Sequence, residues 1–160
     1  MNREIKFRGK RLDNGCWMHG DLMQHNDGYV LIGERNEHWT DDGWSNSDYS
    51  RVRCVDDETV GQFTGLKDKN GVEIYEGDII MSHSSSGEPI YHEVFYNEGE
   101  GSFMVALEGS RDICWGASRI VQRWINDCGK AVMGNIYDNP ELLQSEKQNS
   151  LEKGGKKHEF

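Results

Sequence analysis

The stretch GQFTGLKDKNGVEIYEGDII, residues 61–80, decides how this chain is read. Asn70-Gly71 lies between Phe63-Thr64-Gly65-Leu66 and Val72-Glu73-Ile74-Tyr75. Asn-Gly supplies the two positive-φ positions of a tight type I′ turn, so the stretch predicts a β-hairpin. Val72 and Ile74 alternate with Glu73 and Tyr75, as a strand with one buried face requires. Glu76-Gly77-Asp78 then interrupts the alternation ahead of the apolar Ile79-Ile80-Met81. Gly77 and Asp78 therefore mark a turn or bulge that feeds the next strand.

Part of this pattern occurs earlier in the chain. Phe7-x-Gly9, Asn14-Gly15 and Gly20-Asp21-Leu22-Met23 recur 56 residues later as Phe63-x-Gly65, Asn70-Gly71 and, after one inserted residue, Gly77-Asp78-Ile79-Ile80. Two explanations are open: a duplicated β-unit, or turn residues recurring wherever hairpins recur.

Working outward, Ile5-Lys6-Phe7-Arg8 alternates apolar and basic residues, and Asp13-Asn14-Gly15 and Asn26-Asp27-Gly28 turn the chain into Cys16-Trp17-Met18 and Tyr29-Val30-Leu31-Ile32. That succession is a β-meander. Residues 34–53 are a long polar connection carrying Trp39 and Trp44, the residues best suited within it to anchor a partner. Beyond the Ser-rich loop around Gly87, residues 90–96 and 103–107 form another hairpin across Asn97-Glu98-Gly99-Glu100-Gly101. Residues 111–128 are ambiguous, with helix the favoured reading, because Ile120 and Trp124, then Val121 and Ile125, pair at i,i+4. Residues 132–137 read as a last strand, and Asn139-Pro140-Glu141 as the N-cap, first proline and first-turn acid of a short helix begun by Leu142-Leu143. The expected fold is mainly β: small SH3-like or related β-barrel units built from hairpins, with a short C-terminal helix. Residues 1–144 make one domain, with possible subunits 1–58 and 59–144, and 145–160 a disordered polar tail.

These residues also carry a family resemblance. Val60-Gly61-Gln62-Phe63-Thr64-Gly65-Leu66-Lys67-Asp68-Lys69-Asn70-Gly71, continued by Ile74-Tyr75-Glu76-Gly77-Asp78-Ile79, resembles the signature of the YopX family of phage- and prophage-encoded proteins. Ile5-Lys6-Phe7-Arg8-Gly9-Lys10 and Gly134-Asn135-Ile136-Tyr137-Asp138-Asn139-Pro140-Glu141-Leu142-Leu143 match as flanking blocks, in the family's order. The resemblance implies a mostly-β fold and homo-oligomerisation. It implies no catalytic or binding residue.

Composition narrows the function. The net charge is −10, and the body through Gln144 holds 14 basic and 25 acidic residues, a balance of −11. Such a body repels phosphate backbones. The one concentrated basic surface is N-terminal, where five Lys or Arg face one Glu through Leu12. Lys6, Arg8, Lys10 and Arg11 are therefore the candidate nucleic-acid contact, with Trp17 or Tyr29 as aromatic partners, against the plainer alternative of a lysine-protected edge strand. Cys16, Cys54, Cys114 and Cys128 form no Cys-x-x-Cys pair, and His19, His25 and His38, though near Asp21, Asp41 and Asp42, follow no ligand spacing. His83 among Ser82, Ser84, Ser85 and Ser86 suggests a nucleophile and base, but adjacent positions in a flexible loop seldom hold that geometry. The repeated acids Asp21 and Asp78 suit backbone bonding at strand entrances better than catalysis. No Gly-rich phosphate motif precedes a helix. No catalytic residue, cofactor or metal is expected, nor a membrane span, since no apolar run approaches the required length. With no signal-peptide pattern at Met1-Asn2-Arg3-Glu4, a cytoplasmic location with reduced thiols is expected.

Three functions fit these constraints. The first is a non-enzymatic, oligomer-forming accessory protein of a phage or prophage that binds a protein partner. The second is a nucleic-acid-binding accessory protein using the N-terminal basic strand. The third is an acidic DNA mimic that occupies a host protein.

Overall fold

The loop Lys69-Asn70-Gly71 shows how this sequence makes its hairpins. In the computed structural model, which describes residues 4–34, 52–107, 117–119, 122–127 and 130–143, Asp68 N donates to Val72 O at 2.8 Å and Gly71 N donates to Asp68 O at 3.0 Å. Gly71 takes the left-handed conformation, with φ 82°. This is a three-residue loop closed by a left-handed glycine, not the expected two-residue type I′ turn. The Asp68 carboxylate explains the difference. Its Oδ1 accepts the N–H groups of Asn70 at 2.7 Å and Val72 at 2.9 Å, which draws the loop one residue wider. The same closure recurs at His25–Tyr29 around Gly28 and at Ser84–Glu88 around Gly87.

The chain divides into two compact units, Met1–Gly65 and Leu66–Phe160. The first contains β1 (Phe7–Lys10), β2 (Trp17–Gln24), β3 (Val30–Gly33), β4 (Val52–Val55), a 3-10 turn at Asp57–Thr59 and most of β5 (Gly61–Lys67). Its strands are antiparallel in the order β4-β3-β2-β1-β5. Register places Phe7 opposite Gly20, Leu22 opposite Ile32 and Val30 opposite Val55. One face thereby gathers Met18, Ile32 and Val55, with Phe7, Leu22, Val30 and Val60 packed against them. The other face takes Arg8, Lys10, Trp17 and His19.

Two expectations are corrected here. β1 is an interior strand, paired with β2 on one side and with β5 on the other, so the lysine-protected edge does not exist. The sheet is also open rather than a closed barrel. Because β5 occupies the second side of β1 at Phe7 and Arg8, β4 reaches only the residues beyond. There Arg11 bridges Val55, Leu12 N donates to Cys54 O and Asp56 N donates to Lys10 O. This contact curls the sheet without forming a ladder.

The second unit contains β6 (Glu73–Tyr75), β7 (Asp78–His83), β8 (Pro89–Asn97), β9 (Ser102–Leu107), β10 (Ala117–Arg119), α1 (Gln122–Asp127) and β11 (Ala131–Asn135). Five of its strands form an open antiparallel sheet, β10-β9-β8-β7-β11. Ile74, Ile80, Val94, Val105 and Ile125 make its main core, with Leu66, Phe103, Trp124 and Val132 at the margin. The favoured helix within 111–128 is present as α1, but β10 occupies part of the same window. The C-terminal helix is a 3-10 helix, Pro140–Leu143, packed against β8. Leu142 N donates to Asn139 O at 3.1 Å, closing the turn, and Asn139 Oδ1 accepts from Asn135 N at 3.4 Å.

The repeated blocks diverge at their third member. Gly20-Asp21 lies inside β2, where Asp21 is exposed and pairs with Gly33, whereas Gly77 turns the chain between β6 and β7 with φ 81°. Asp21 and Asp78 are consequently not equivalent.

Candidate functional site

Asp68, Asp78 and Asn135, three polar residues of the signature blocks, serve the backbone. Asp68, 6% exposed, accepts from Asn70 N and Val72 N, and its Oδ2 accepts from Val132 N at 3.1 Å, fastening the hairpin loop to β11. Asp78, 1% exposed, accepts from Tyr75 N at 2.7 Å across the turn into β7. Asn135 Oδ1 accepts from Tyr137 N and Asp138 N. A carboxylate or amide engaged by backbone N–H groups is held in place by them. These residues build turns.

The predicted basic strand is drawn into local contacts. Lys6 Nζ lies 5.0 Å from the Phe63 ring centroid and 3.3 Å from Glu4 Oε1. Arg8, 7% exposed, stacks its guanidinium 4.7 Å from the Trp17 centroid, and Lys10 Nζ lies 5.5 Å from the same ring. Alternation along β1 and the pairing of Lys10 with Trp17 put these groups on one face. Arg11 instead makes two hydrogen bonds to Asp13, at 2.9 and 2.5 Å. That bonding raises the Arg11 pKa and lowers that of Asp13. Of the aromatic partners named for this strand, Trp17 lies against the cations, while Tyr29 is exposed near the β2–β3 loop. Trp39 and Trp44 lie outside the described residues.

A buried polar group that sequence reading missed lies in the second unit. Ser82 Oγ and His92 Nε2 are 2.6 Å apart, and both side chains are buried. The hairpin around Gly87 pairs Ile80 with His92 and Ser82 with Ile90, which makes Ser82 and His92 diagonal neighbours. The histidine that meets Ser82 is therefore His92, not the adjacent His83, which is exposed. Register counted from Gly87 is the signal that would have found it.

The His92 ring stands edge-on to Trp124, with centroids 5.4 Å apart and planes at 87°. Lys130, 3% exposed, lies 4.2 Å over the Trp124 ring and donates to Trp124 O. Burial, and then the Lys130 charge, lower the His92 pKa to about 4, so the imidazole is neutral at pH 7. Among the described residues His92 Nδ1 has no hydrogen-bond partner. A buried orphan acceptor is less unusual than a buried orphan N–H, which places the proton on Nε2, donated to Ser82. A serine nucleophile needs the reverse: Nε2 accepting, Nδ1–H held by a carboxylate, and access for substrate. Here the nearby charge is a cation and Ser82 is 7% exposed. The pair is a polar bond inside a core.

Metal chemistry finds no grouped donors either. Among the described residues, no three His, Cys, Asp or Glu side chains are placed to hold a metal ion. Cys16 and Cys54 are free and exposed, and His25 Nδ1 lies 3.2 Å from Asp27 Oδ2. Among the described residues no helix is long and apolar enough to cross a membrane.

Two open antiparallel sheets, with signature side chains committed to turns, define a mainly-β protein whose sequence motif encodes its scaffold. The chain belongs to the YopX family, whose model matches residues 6–144. It is similar to protein EF1440 from Enterococcus faecalis, a crystal structure with 25% sequence identity and a TM-score of 0.51, over 89% of this chain and 99% of that one. Comparison with curated proteins gave no match. The family match brings no enzymatic activity with it.

Proposed function

We propose that this is a non-enzymatic accessory protein of a phage or prophage, acting in the bacterial cytoplasm as a homo-oligomer that binds a protein partner. The observation that carries this reading is where the signature's polar groups go: Asp68, Asp78 and Asn135 all accept from backbone N–H groups. A motif spent in this way maintains a shape, and a maintained shape suits binding. The exposed side chains of Met23 and Tyr29 in the first unit add apolar surface that a contact would cover.

Sedimentation velocity on the full chain, followed by affinity capture from host lysate, tests the proposal. Concentration-dependent self-association and a captured protein that resists nuclease treatment are expected. A chain that stays monomeric at every concentration would remove the oligomer. Binding to single-stranded DNA or RNA that falls steeply with salt would replace the protein partner with nucleic acid.

A further inference from the structure

The contacts of α1 are unusual for so short an element. Six residues of helix do not persist alone in water, so α1 depends on what it touches. Gln122 binds the backbone of Lys67, at the end of β5, on both sides: Nε2 donates to Lys67 O at 2.8 Å and Oε1 accepts from Lys67 N at 3.3 Å. The side-chain amide thus satisfies the strand as a neighbouring backbone would. Ile125 is fully buried in the core of the unit. Trp124 stands on the edge of the His92 ring, and Lys130 closes the C-terminal end by donating to Trp124 O.

We propose that α1 is an acid-released latch: protonation of His92 undocks α1 from the β7–β8 face and frees the Lys67 backbone groups that Gln122 holds. The geometry gives the mechanism. A charged imidazolium carries two N–H donors, and Ser82 Oγ can accept only one of them. The second, on Nδ1, would be a buried charged donor without an acceptor. It would also share its surroundings with the Lys130 ammonium, a like charge held over Trp124. Among the described residues, the groups facing His92 are Ser82 from β7, Trp124 from α1 and Lys130 from the segment after it; β9 pairs the apolar Leu107 with it, and Tyr91 and Glu93, its chain neighbours, alternate to the opposite face. Moving α1 away relieves both penalties, because it admits water that solvates the Nδ1–H of the imidazolium and screens it from the Lys130 charge. The depressed pKa of His92 is the expected counterpart, since docking and protonation oppose each other.

Hydrogen exchange of the full chain between pH 6.5 and 4, corrected for intrinsic exchange rates, reads the latch directly. Opening of the α1 peptide should rise on the order of 100-fold relative to β9 of the same unit across that range, as a pKa of about 4 docked and about 6.5 released requires. In His92→Gln, which keeps a bond to Ser82 but does not titrate, the excess should disappear. Equal acceleration of α1 and β9 in the wild type would overturn the proposal, whether or not the variant folds. So would an excess that survives in His92→Gln.

Discussion

Replacing Asp68 tests whether the signature is scaffold. Its carboxylate accepts three backbone N–H groups, from Asn70, Val72 and Val132, and is itself buried. Hydrogen bonds to a charged group contribute about 1.5–3 kcal/mol each when nothing replaces them. Asn70 and Val72 are exposed, so water takes over much of their loss in Asp68→Ala, whereas the half-buried Val132 loses the tie between the loop and β11. The sum comes to about 3 kcal/mol for Asp68→Ala. Asp68→Asn keeps one acceptor oxygen and turns an NH2 towards one of the donors, which costs about 1–2 kcal/mol. Urea denaturation, with unchanged m-values as the check on two-state comparison, measures both. Loss of less than about 0.5 kcal/mol in Asp68→Ala, the range of ordinary surface substitutions, would refute the scaffold argument. Equal losses in the two variants would show that the divided acceptor geometry is wrong.

Three other outcomes follow from the same contacts. His92 titrates near 4 folded against about 6.5 unfolded, so the unfolded chain binds more protons between those values. Stability is full above pH 6.5 and falls by about 3 kcal/mol as pH drops to 4, a slope that His92→Gln should flatten in denaturation curves across that range. Gly20→Ala would put a Cβ 1.9 Å from Gly33 O, a backbone atom that cannot swing aside; a loss of about 3 kcal/mol or more is expected by thermal melting, and a neutral result would place β2 and β3 wrongly. Trp17→Leu removes the ring that Arg8 and Lys10 share, so a loss of about 1–2 kcal/mol is expected, together with greater reactivity of Lys10 towards an amine-labelling reagent.

What could be read along the chain was local. Glycines at turns, alternation in strands and the i,i+4 pairs of 111–128 act over a few residues, so the hairpins, the mainly-β class and α1 were legible from neighbours alone. The turn type was not, because the Asp68 side chain competes for the same amides and widens the loop. Other outcomes depended on residues far apart in sequence. Whether β1 is an edge or an interior strand depends on β5, more than fifty residues away, and the same pairing keeps the sheet from closing with β4. Basic residues at 6, 8 and 10 look alike in a string of letters; the cross-strand position of Trp17 is what stacks Arg8 and Lys10 on an indole. Ser82 and His92 became partners through the register of a hairpin, and Lys130 joined them through the helix packed above. Backbone preference and periodicity are properties of short segments, so the sequence by itself determined the elements. Pairing, burial and the charge state of His92 depend on what the folded chain brings alongside, and only the tertiary structure decided them.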